Sequence, residues 1–262
     1  MTRLLWCMWA LLGIACAGCE EIPQGGDLPI YVPVESGATG FIHKIYRGPD
    51  GVESKYVVFV PHAYDGTSDD PAILFLHGAG QVGKNGLDQI HGGLGESIRK
   101  REETFPFITI FPQAQEGSWE ADSPDGIRAM AILDEVVKTY RVDTQRTYLT
   151  SYSMGGEGTW SLAAAHPSRW AAIVPLCPSE NRSAVTKLKH IPCWCFQGDA
   201  DVIYTVNAAR RMVQAIQSAG GRVTYVKYPR IGHNCWDLAY ADPDLWEWLL
   251  QQKRTENVLK SK

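Results

Sequence analysis

Short apolar segments alternate along most of this chain with segments of helical periodicity, and this alternation constrains the fold more than any other feature. The apolar segments lack the polar alternation of a half-exposed strand, so each predicts a strand buried on both faces of a sheet. Strands of this kind, joined by helices, indicate a mostly parallel sheet flanked by helices on both faces. The predicted strands are AILFLH, FITIF, RTYLTS, WAAIVPL, IPCWCFQ and RVTYVKY, and the predicted helices span 88–103, 124–139, 154–165, 205–218 and 239–252.

Two more strands precede this series. FIHKIYR and VESKYVVFVP are joined by the turn GPDG, which predicts an antiparallel hairpin at the start of the domain. The sheet then has about eight strands in all. The connection between WAAIVPL and IPCWCFQ is about fourteen residues long, which is too short for an inserted lid domain.

Five loops that follow predicted strands hold most of the unusual glycine, histidine, aspartate and tryptophan residues. In parallel sheets, ligands bind at the carboxyl ends of the strands. We therefore expect the functional site in these loops, which are LFLHGAGQVGKNG, FPQAQEGSW, SYSMGG, FQGDADV and IGHNCWD.

The composition is that of a globular protein. The 262 residues are 45% hydrophobic and 21% charged, with a formal net charge of −4. Because there is no long basic run, we do not expect nucleic acid as a partner. A chain of this length can bury one large core, and we expect a single domain over residues 39–262.

The first residues have the layout of an export signal. One arginine precedes an apolar run that ends near residue 17 and is followed by small residues. The run is too short to span a bilayer comfortably. We expect residues 1–18 to be a signal peptide and residues 19–38, which are rich in proline and glycine, to form a flexible tether.

The end of this signal raises a second question, which is whether the protein is lipid-anchored. CAGC followed by two glutamates resembles a bacterial lipobox, in which Cys19 would be lipidated and attach the protein to a membrane. Cys16 stands where leucine is usual, so simple cleavage and release is the alternative. In both cases we expect export, either to the bacterial cell envelope or into the medium.

Four cysteines lie in the predicted domain: Cys177, Cys193, Cys195 and Cys235. Cys193 and Cys195 lie two apart on one predicted strand and point to the same face, which places them poorly for a mutual disulfide. Their spacing is also too short for a zinc knuckle. We expect buried free thiols, and a disulfide that involves Cys177 stays open.

The segment LTSYSMGGEGTW, residues 149–160, contains a candidate nucleophile. Ser151-x-Ser153-x-Gly155 differs at its first position from the G-x-S-x-G pattern of a nucleophile elbow. A serine hydroxyl is a weak nucleophile unless a base takes its proton and a third group orients that base. Ser153 therefore needs a histidine and a carboxylate.

The histidine is found by elimination. Three histidines follow Ser153, and His166 and His190 lie at a helix end and just before a strand. His233 alone lies in a loop after a late strand. Hydrolases with a nucleophile elbow place the acid between the nucleophile and the histidine.

Four carboxylates lie in that interval: Glu157, Glu180, Asp199 and Asp201. Glu157 belongs to the helix that follows Ser153, and we do not expect it to reach His233. Glu180 follows the next strand, a position that some hydrolases use. We favour Asp201 in the turn GDAD, with Asp199 and Glu180 as alternatives, since Asp199 would remain in the tight turn beside Gly198.

An oxyanion hole needs one backbone N–H after the nucleophile and another from the loop after an earlier strand. Met154 and Ala79, which lies in HGAG, are in those positions. Glycines in HGAG let the backbone approach a developing oxyanion closely. His77 of the same motif is interpreted as a structural loop residue rather than as a base.

Taken together, FLHGAG, RTYLTSYSMGGEGTW, HPSRWAAIVPLC, QGDADVIY and GHNCWDLAY resemble the α/β-hydrolase superfamily. The resemblance covers roughly residues 40–250 and is greatest to secreted, lid-less esterases related to polyhydroxybutyrate depolymerases, feruloyl esterases and dienelactone hydrolases. It extends to bacterial "predicted peptidases" with a prolyl-oligopeptidase-type domain. It implies an α/β-hydrolase fold with Ser153 as nucleophile, His233 as base, Asp201 as acid, and Ala79 with Met154 as oxyanion donors. Ser151 departs from the family's usual glycine, and some strain is expected there.

The expected activity is hydrolysis of carboxylic esters through an acyl-enzyme, without a metal or other cofactor. An open, lid-less site suits exposed esters on bulky, polysaccharide-linked or polymeric molecules. Trp119 and Trp236 are candidate walls for such a substrate, although Trp236 would equally serve to pack the His233 loop. The alternatives are a prolyl-oligopeptidase-like peptidase and a non-catalytic surface binding protein on the same fold.

Overall fold

The computed structural model describes residues 38–49 and 51–254. The predicted signal peptide, Cys19 and residues 19–37 of the predicted tether lie outside the described residues. The strands are β1 Gly40–Arg47, β2 Glu53–Val60, β3 Asp70–Leu76, β4 Ile108–Pro112, β5 Val142–Tyr152, β6 Ala172–Leu176, β7 Cys193–Gly198 and β8 Val223–Tyr228. The helices are α1 Gly93–Arg99, α2 Pro124–Thr139, α3 Met154–Ala165, α4 Val185–Leu188, α5 Val206–Ser218, α6 Trp236–Ala241 and α7 Pro243–Gln251.

The eight strands form one sheet in the order β1-β2-β4-β3-β5-β6-β7-β8. β1 and β2 form the predicted antiparallel hairpin, and β2 also pairs antiparallel with β4. All other pairs are parallel. The mostly parallel sheet predicted from the sequence is therefore confirmed.

Each face of the sheet carries its own apolar core because the inner strands are buried on both sides. Leu74, Ile110 and Leu149 belong to one core, which packs against residues of α2, α3 and α5. Ile73 and Phe75 belong to the other, which packs against residues of α1, α6 and α7. Successive side chains of a strand point to opposite faces, so a strand that serves both cores reads as a continuous apolar run.

Two predicted helices have the predicted bounds. α2 spans 124–139, with Ser123 accepting a hydrogen bond from the Gly126 N–H at 3.0 Å and a proline at its first position. Both features are typical of a helix N-terminus. α3 spans 154–165 and begins directly after Ser153.

Two other predicted helices are interrupted. The segment 88–103 is helical only over Gly93–Arg99, with 3₁₀ turns on either side, because Gly92 and Gly93 have positive φ angles of 75° and 51°. The segment 239–252 is divided at Asp242, where Pro243 starts a new helix and the Asp242 side chain accepts from the Asp244 N–H. In both segments the helical spacing of apolar residues continues across the break, so the sequence predicted one continuous helix in each.

The connection from β6 to β7 contains only a 3₁₀ turn and the four-residue helix α4. Within residues 38–49 and 51–254, therefore, no inserted domain covers the carboxyl edge of the sheet. In the same part of the chain, no helix is long and apolar enough to cross a membrane.

Candidate active site

Ser153 lies in the turn between β5 and α3, at the carboxyl edge of the sheet. Its φ of 56° and ψ of −122° form a strained backbone conformation for a residue with a Cβ. The Ser153 N–H donates to the Leu176 carbonyl at 3.1 Å, which ties the turn to β6. A Cβ at Gly155 would collide with the Leu76 carbonyl, so this position needs glycine.

Ser151, by contrast, is accommodated within β5. It pairs with Leu76 on one side and Pro175 on the other, and its φ is not positive. Its buried hydroxyl lies 2.6 Å from the Thr159 hydroxyl on α3. The strain expected at Ser151 is therefore absent, and the backbone strain of this turn lies at Ser153.

Three side chains from three loops form one hydrogen-bonded chain. The Ser153 hydroxyl lies 2.8 Å from His233 Nε2, and His233 Nδ1 lies 2.7 Å from Asp201 Oδ2. The Asp201 side chain is fully buried, whereas 16% of the His233 side chain is exposed. A histidine that donates from Nδ1 to this carboxylate presents the unprotonated Nε2 to Ser153.

The other carboxylates considered from the sequence have different partners. Asp199 accepts from the Arg230 N–H at 2.6 Å and lies 3.5 Å from Lys227 Nζ. Glu180 forms an ion pair with Arg211 at 2.7 Å. Among the described residues, the carboxylate that lies within hydrogen-bonding distance of His233 is that of Asp201.

Gln197 also contacts Asp201, and the sequence patterns did not identify it as a functional residue. Its Nε2 donates to Asp201 Oδ2 and to the Tyr204 carbonyl, both at 2.8 Å. The N–H groups of Ile203 and Tyr204 donate to the other carboxylate oxygen at 2.8 and 3.0 Å. Together these donors hold the buried Asp201 carboxylate in one orientation. Gln197 lies four residues before Asp201 on β7, and a polar residue within that apolar strand was the available signal.

Met154 and Ala79, the predicted oxyanion donors, each follow a strand of the parallel part of the sheet. Met154 is the first residue of α3, and Ala79 begins a 3₁₀ turn after β3. Among the described residues, neither backbone N–H donates to an acceptor. Free N–H groups at these positions are a requirement of an oxyanion hole.

The prediction that Trp119 forms a substrate wall is wrong. Only 2% of Trp119 is exposed, and it belongs to the core on the α3 side of the sheet. Its indole N–H donates to the His77 carbonyl at 2.9 Å, and its Cβ packs so closely on α3 that residue 158 must be glycine. The polar neighbours of Trp119 in the sequence suggested exposure, but this loop folds inward.

His77 has the structural role predicted for it. The ring is buried, and its Nδ1 donates to the Gly78 carbonyl at 2.7 Å while its Nε2 accepts from the Ala114 N–H at 2.9 Å. Burial lowers the pKa of His77 to about 4. The neutral ring thus joins the loop after β3 to the loop after β4.

Trp236 is half-buried and lies directly beside His233. Its ring stacks on Tyr152 with 4.3 Å between centroids and meets the His233 ring edge-on at 5.6 Å. Packing of Trp236 against His233 is therefore observed, and its role as a substrate wall stays a prediction. Tyr152 is held in turn by a hydrogen bond from Gln81, and burial raises its pKa to about 12.

The four cysteines of the described domain are free and buried, as the sequence predicted. Burial raises the pKa of the Cys177, Cys193 and Cys195 thiols. In the described part of the chain, no group of three or more His, Cys, Asp and Glu side chains could hold a metal ion.

The sheet order, the strained serine turn and the loop positions of the three side chains define an α/β-hydrolase fold, as the sequence motifs implied. No protein-family model matches the sequence. A bifunctional acetylxylan esterase/xylanase from Neocallimastix patriciarum is 26% identical over 160 residues, which are 60% of this chain and 22% of that protein.

Solved structures give the same fold. A thermostable esterase superposes with a TM-score of 0.76 and 28% identity over 82% of this chain and 63% of its own. A ferulic acid esterase from Anaeromyces mucronatus has a TM-score of 0.58 and 13% identity over 87% and 95%. This chain therefore spans less than two thirds of the acetylxylan esterase/xylanase and of the thermostable esterase. The likeness to the ferulic acid esterase concerns the fold alone.

Proposed function

We propose that the protein is a serine esterase that hydrolyses carboxylic esters through Ser153, His233 and Asp201. The continuous hydrogen-bonded chain from the Ser153 hydroxyl to the Asp201 carboxylate carries this proposal. The esterase names of the acetylxylan esterase relative and of the thermostable esterase support the reaction class.

The proposed reaction begins when the Ser153 hydroxyl attacks the ester carbonyl and His233 Nε2 accepts its proton. The Met154 and Ala79 N–H groups donate to the oxyanion of the tetrahedral intermediate. His233 then returns the proton to the departing alcohol, which leaves an acyl-enzyme. A water molecule, deprotonated by His233, releases the acid and restores Ser153.

We expect the substrates to be exposed esters on bulky, polysaccharide-linked or polymeric molecules. The site lies on an edge of the sheet that no inserted domain covers within the described residues. The acetylxylan esterase relative supports a carbohydrate-linked ester. Export, with or without a lipid on Cys19, would bring the enzyme to such substrates and remains a proposal from the sequence.

Replacement of Ser153 tests the reaction. Ser153→Ala should lower kcat for p-nitrophenyl acetate by a factor on the order of 10⁴ to 10⁶, because the nucleophile is lost. The variant should also fail to react with a fluorophosphonate probe.

Ser68→Ala, in an exposed loop at the opposite edge of the sheet, is the matched control and should label like wild type. A wild-type protein that neither labels nor hydrolyses the ester would contradict the proposal and favour a binding protein. Faster turnover of a peptide p-nitroanilide than of the ester would favour a peptidase.

A further inference from the structure

Tyr152 is the last residue of β5 and directly precedes the candidate nucleophile Ser153. It is only 4% exposed, and the proposed reaction assigns no part to its hydroxyl. Its contacts nevertheless reach two other segments of the candidate site. One is the loop after β3, which carries the proposed oxyanion donor Ala79, and the other is Trp236, three residues after His233.

The Tyr152 ring fixes the start of the loop that carries Ala79. A Cβ at Gly78 would lie 2.7 Å from the Tyr152 ring and 3.5 Å from the Ser153 Cβ, so the Gly78 backbone lies directly against both residues. The Ala79 N–H belongs to the peptide that joins Ala79 to Gly78. One end of this turn is therefore packed against the nucleophile and the residue before it.

The Tyr152 hydroxyl fixes the other end of the same turn. It accepts a hydrogen bond from Gln81 Nε2, and Gln81 is the last residue of the 3₁₀ turn that Ala79 begins. The Gln81 N–H donates to the Gly78 carbonyl at 3.2 Å, which closes the turn around Ala79. A displacement of Gln81 would therefore move the Ala79 N–H relative to Ser153.

Gln81 has two further anchors, which limit its movement. Its Nε2 also donates to the His91 carbonyl at 3.1 Å, and its carbonyl accepts from Gln113 Nε2 at 3.0 Å. Loss of the bond to Tyr152 would thus loosen the turn without releasing it. Since removal of an oxyanion donor costs about 10² to 10³ in kcat, a loosened donor should cost less.

We propose that the hydrogen bond between Gln81 and Tyr152 positions the Ala79 N–H for the oxyanion, so that the end of β5 both presents the nucleophile and aligns its oxyanion donor. This inference rests on the proposed esterase function. Tyr152 and Gln81 are positioning residues, because they act through the Ala79 backbone. Bond cleavage stays with Ser153 and His233.

The test separates the Tyr152 hydroxyl from its ring. Tyr152→Phe removes the hydroxyl and keeps the ring that packs on Gly78 and stacks on Trp236. We expect kcat for p-nitrophenyl acetate, per site titrated with a fluorophosphonate, to fall about threefold to tenfold because one hydrogen bond is lost, and KM to change less than twofold.

Phenylboronic acid gives a second measurement, which does not depend on the folded fraction of the variant. Its tetrahedral adduct with a nucleophilic serine resembles the transition state and places an oxygen in the oxyanion hole. The inhibition constant of Tyr152→Phe should therefore rise by a factor similar to the fall in kcat. A role in stability alone would leave this constant unchanged.

Gln81→Met is the second variant, because methionine has a similar length and cannot donate. If both residues act through one bond, a protein with both substitutions should be no slower than Gln81→Met alone. Tyr148→Phe is the matched control, since Tyr148 is a buried tyrosine on the same strand and its hydroxyl donates to the Gln252 carbonyl at 2.9 Å. This control should leave kcat and the inhibition constant unchanged.

Three results would overturn the inference. They are an unchanged kcat or inhibition constant in Tyr152→Phe, an equal effect in Tyr148→Phe, and effects that multiply when Tyr152→Phe and Gln81→Met are combined. Hydrolysis of p-nitrophenyl acetate by wild type separates these results from failure of the proposed esterase function, in which wild type cleaves no ester.

Discussion

Gln197 is the residue that fixes the candidate acid in place. One amide nitrogen holds both the Asp201 carboxylate and the Tyr204 carbonyl, so it ties the loop after β7 to the strand that carries it. Gln197 contacts neither Ser153 nor the expected position of the substrate, and we interpret it as a positioning residue.

Gln197→Leu should lower kcat for p-nitrophenyl acetate by about tenfold, because one hydrogen bond to the buried carboxylate is lost, and should change KM by less than twofold. Rates should be expressed per active site titrated with a fluorophosphonate. A smaller folded fraction of the variant then does not lower its kcat. Gln214→Leu, on the exposed face of α5, is the control. A normal kcat per titrated site in Gln197→Leu would contradict the positioning role.

Ser153, His233 and Asp201 could be chosen from the sequence because each follows a strand and the order of the three is restrictive. Gln197 and Trp119 could not be interpreted in the same way. The role of Gln197 depends on a side-chain contact across a tight turn, and the burial of Trp119 depends on how one loop folds against α3. A sequence pattern reports neither contact.

At the level of secondary structure elements, the loop after β4 is organised by one buried carboxylate at the start of α2. Asp125 accepts from the backbone N–H groups of Gln115, Glu116 and Gly117 at 2.8, 2.8 and 3.0 Å. It also pairs with Arg128 at 2.6 Å. The helix N-terminus and the loop are thereby joined, since anions are stabilised at that end of a helix.

Asp125→Ala should lower the free energy of unfolding by about 3–5 kcal/mol, because several buried donors lose their acceptor and Arg128 loses its partner. Urea denaturation monitored by circular dichroism measures this change. Asp122→Ala, an exposed carboxylate three residues earlier, should stay within about 0.5 kcal/mol of wild type. Equal stabilities of the two variants would show that Asp125 does not organise the loop.

Two predicted helices, 88–103 and 239–252, are interrupted in the structure. Helical periodicity located α2 and α3 to the residue, because each starts at a residue with a local cap or turn. It extended the segment 88–103 too far, since Gly92 and Gly93 both have positive φ angles and a Cβ at Gly93 would collide with the Tyr152 ring. Asp242 and Pro243 did give a local signal for the second break.

For the whole molecule, the buried His77 links stability to pH. Its pKa of about 4 in the folded protein lies below the value of about 6.5 expected in the unfolded chain. The unfolded chain therefore binds more protons between these two pH values. The stabilisation is complete above a pH of about 6.5 and is lost progressively as the pH falls towards about 4.

His77→Gln should weaken this dependence, because glutamine keeps a donor and an acceptor but does not titrate. Between pH 7 and pH 4, His77 should account for up to about 3 kcal/mol of the fall in the free energy of unfolding. Urea titrations of both proteins at several pH values measure the difference. His190→Gln, at an exposed position, is the control. Parallel pH profiles for wild type and His77→Gln would contradict the prediction.

The parallel sheet that positions the site also has a consequence for how the protein acquires it during folding. Ser153 and His233 are separated by 80 residues, and Asp201 and His233 by 32, so no local segment holds two adjacent members of the hydrogen-bonded chain. Their loops meet only after β5, β6, β7 and β8 have paired in register. Such non-local pairings form slowly because long stretches of chain must first be closed. During refolding, reactivity towards a fluorophosphonate should therefore return after most of the helical circular dichroism signal.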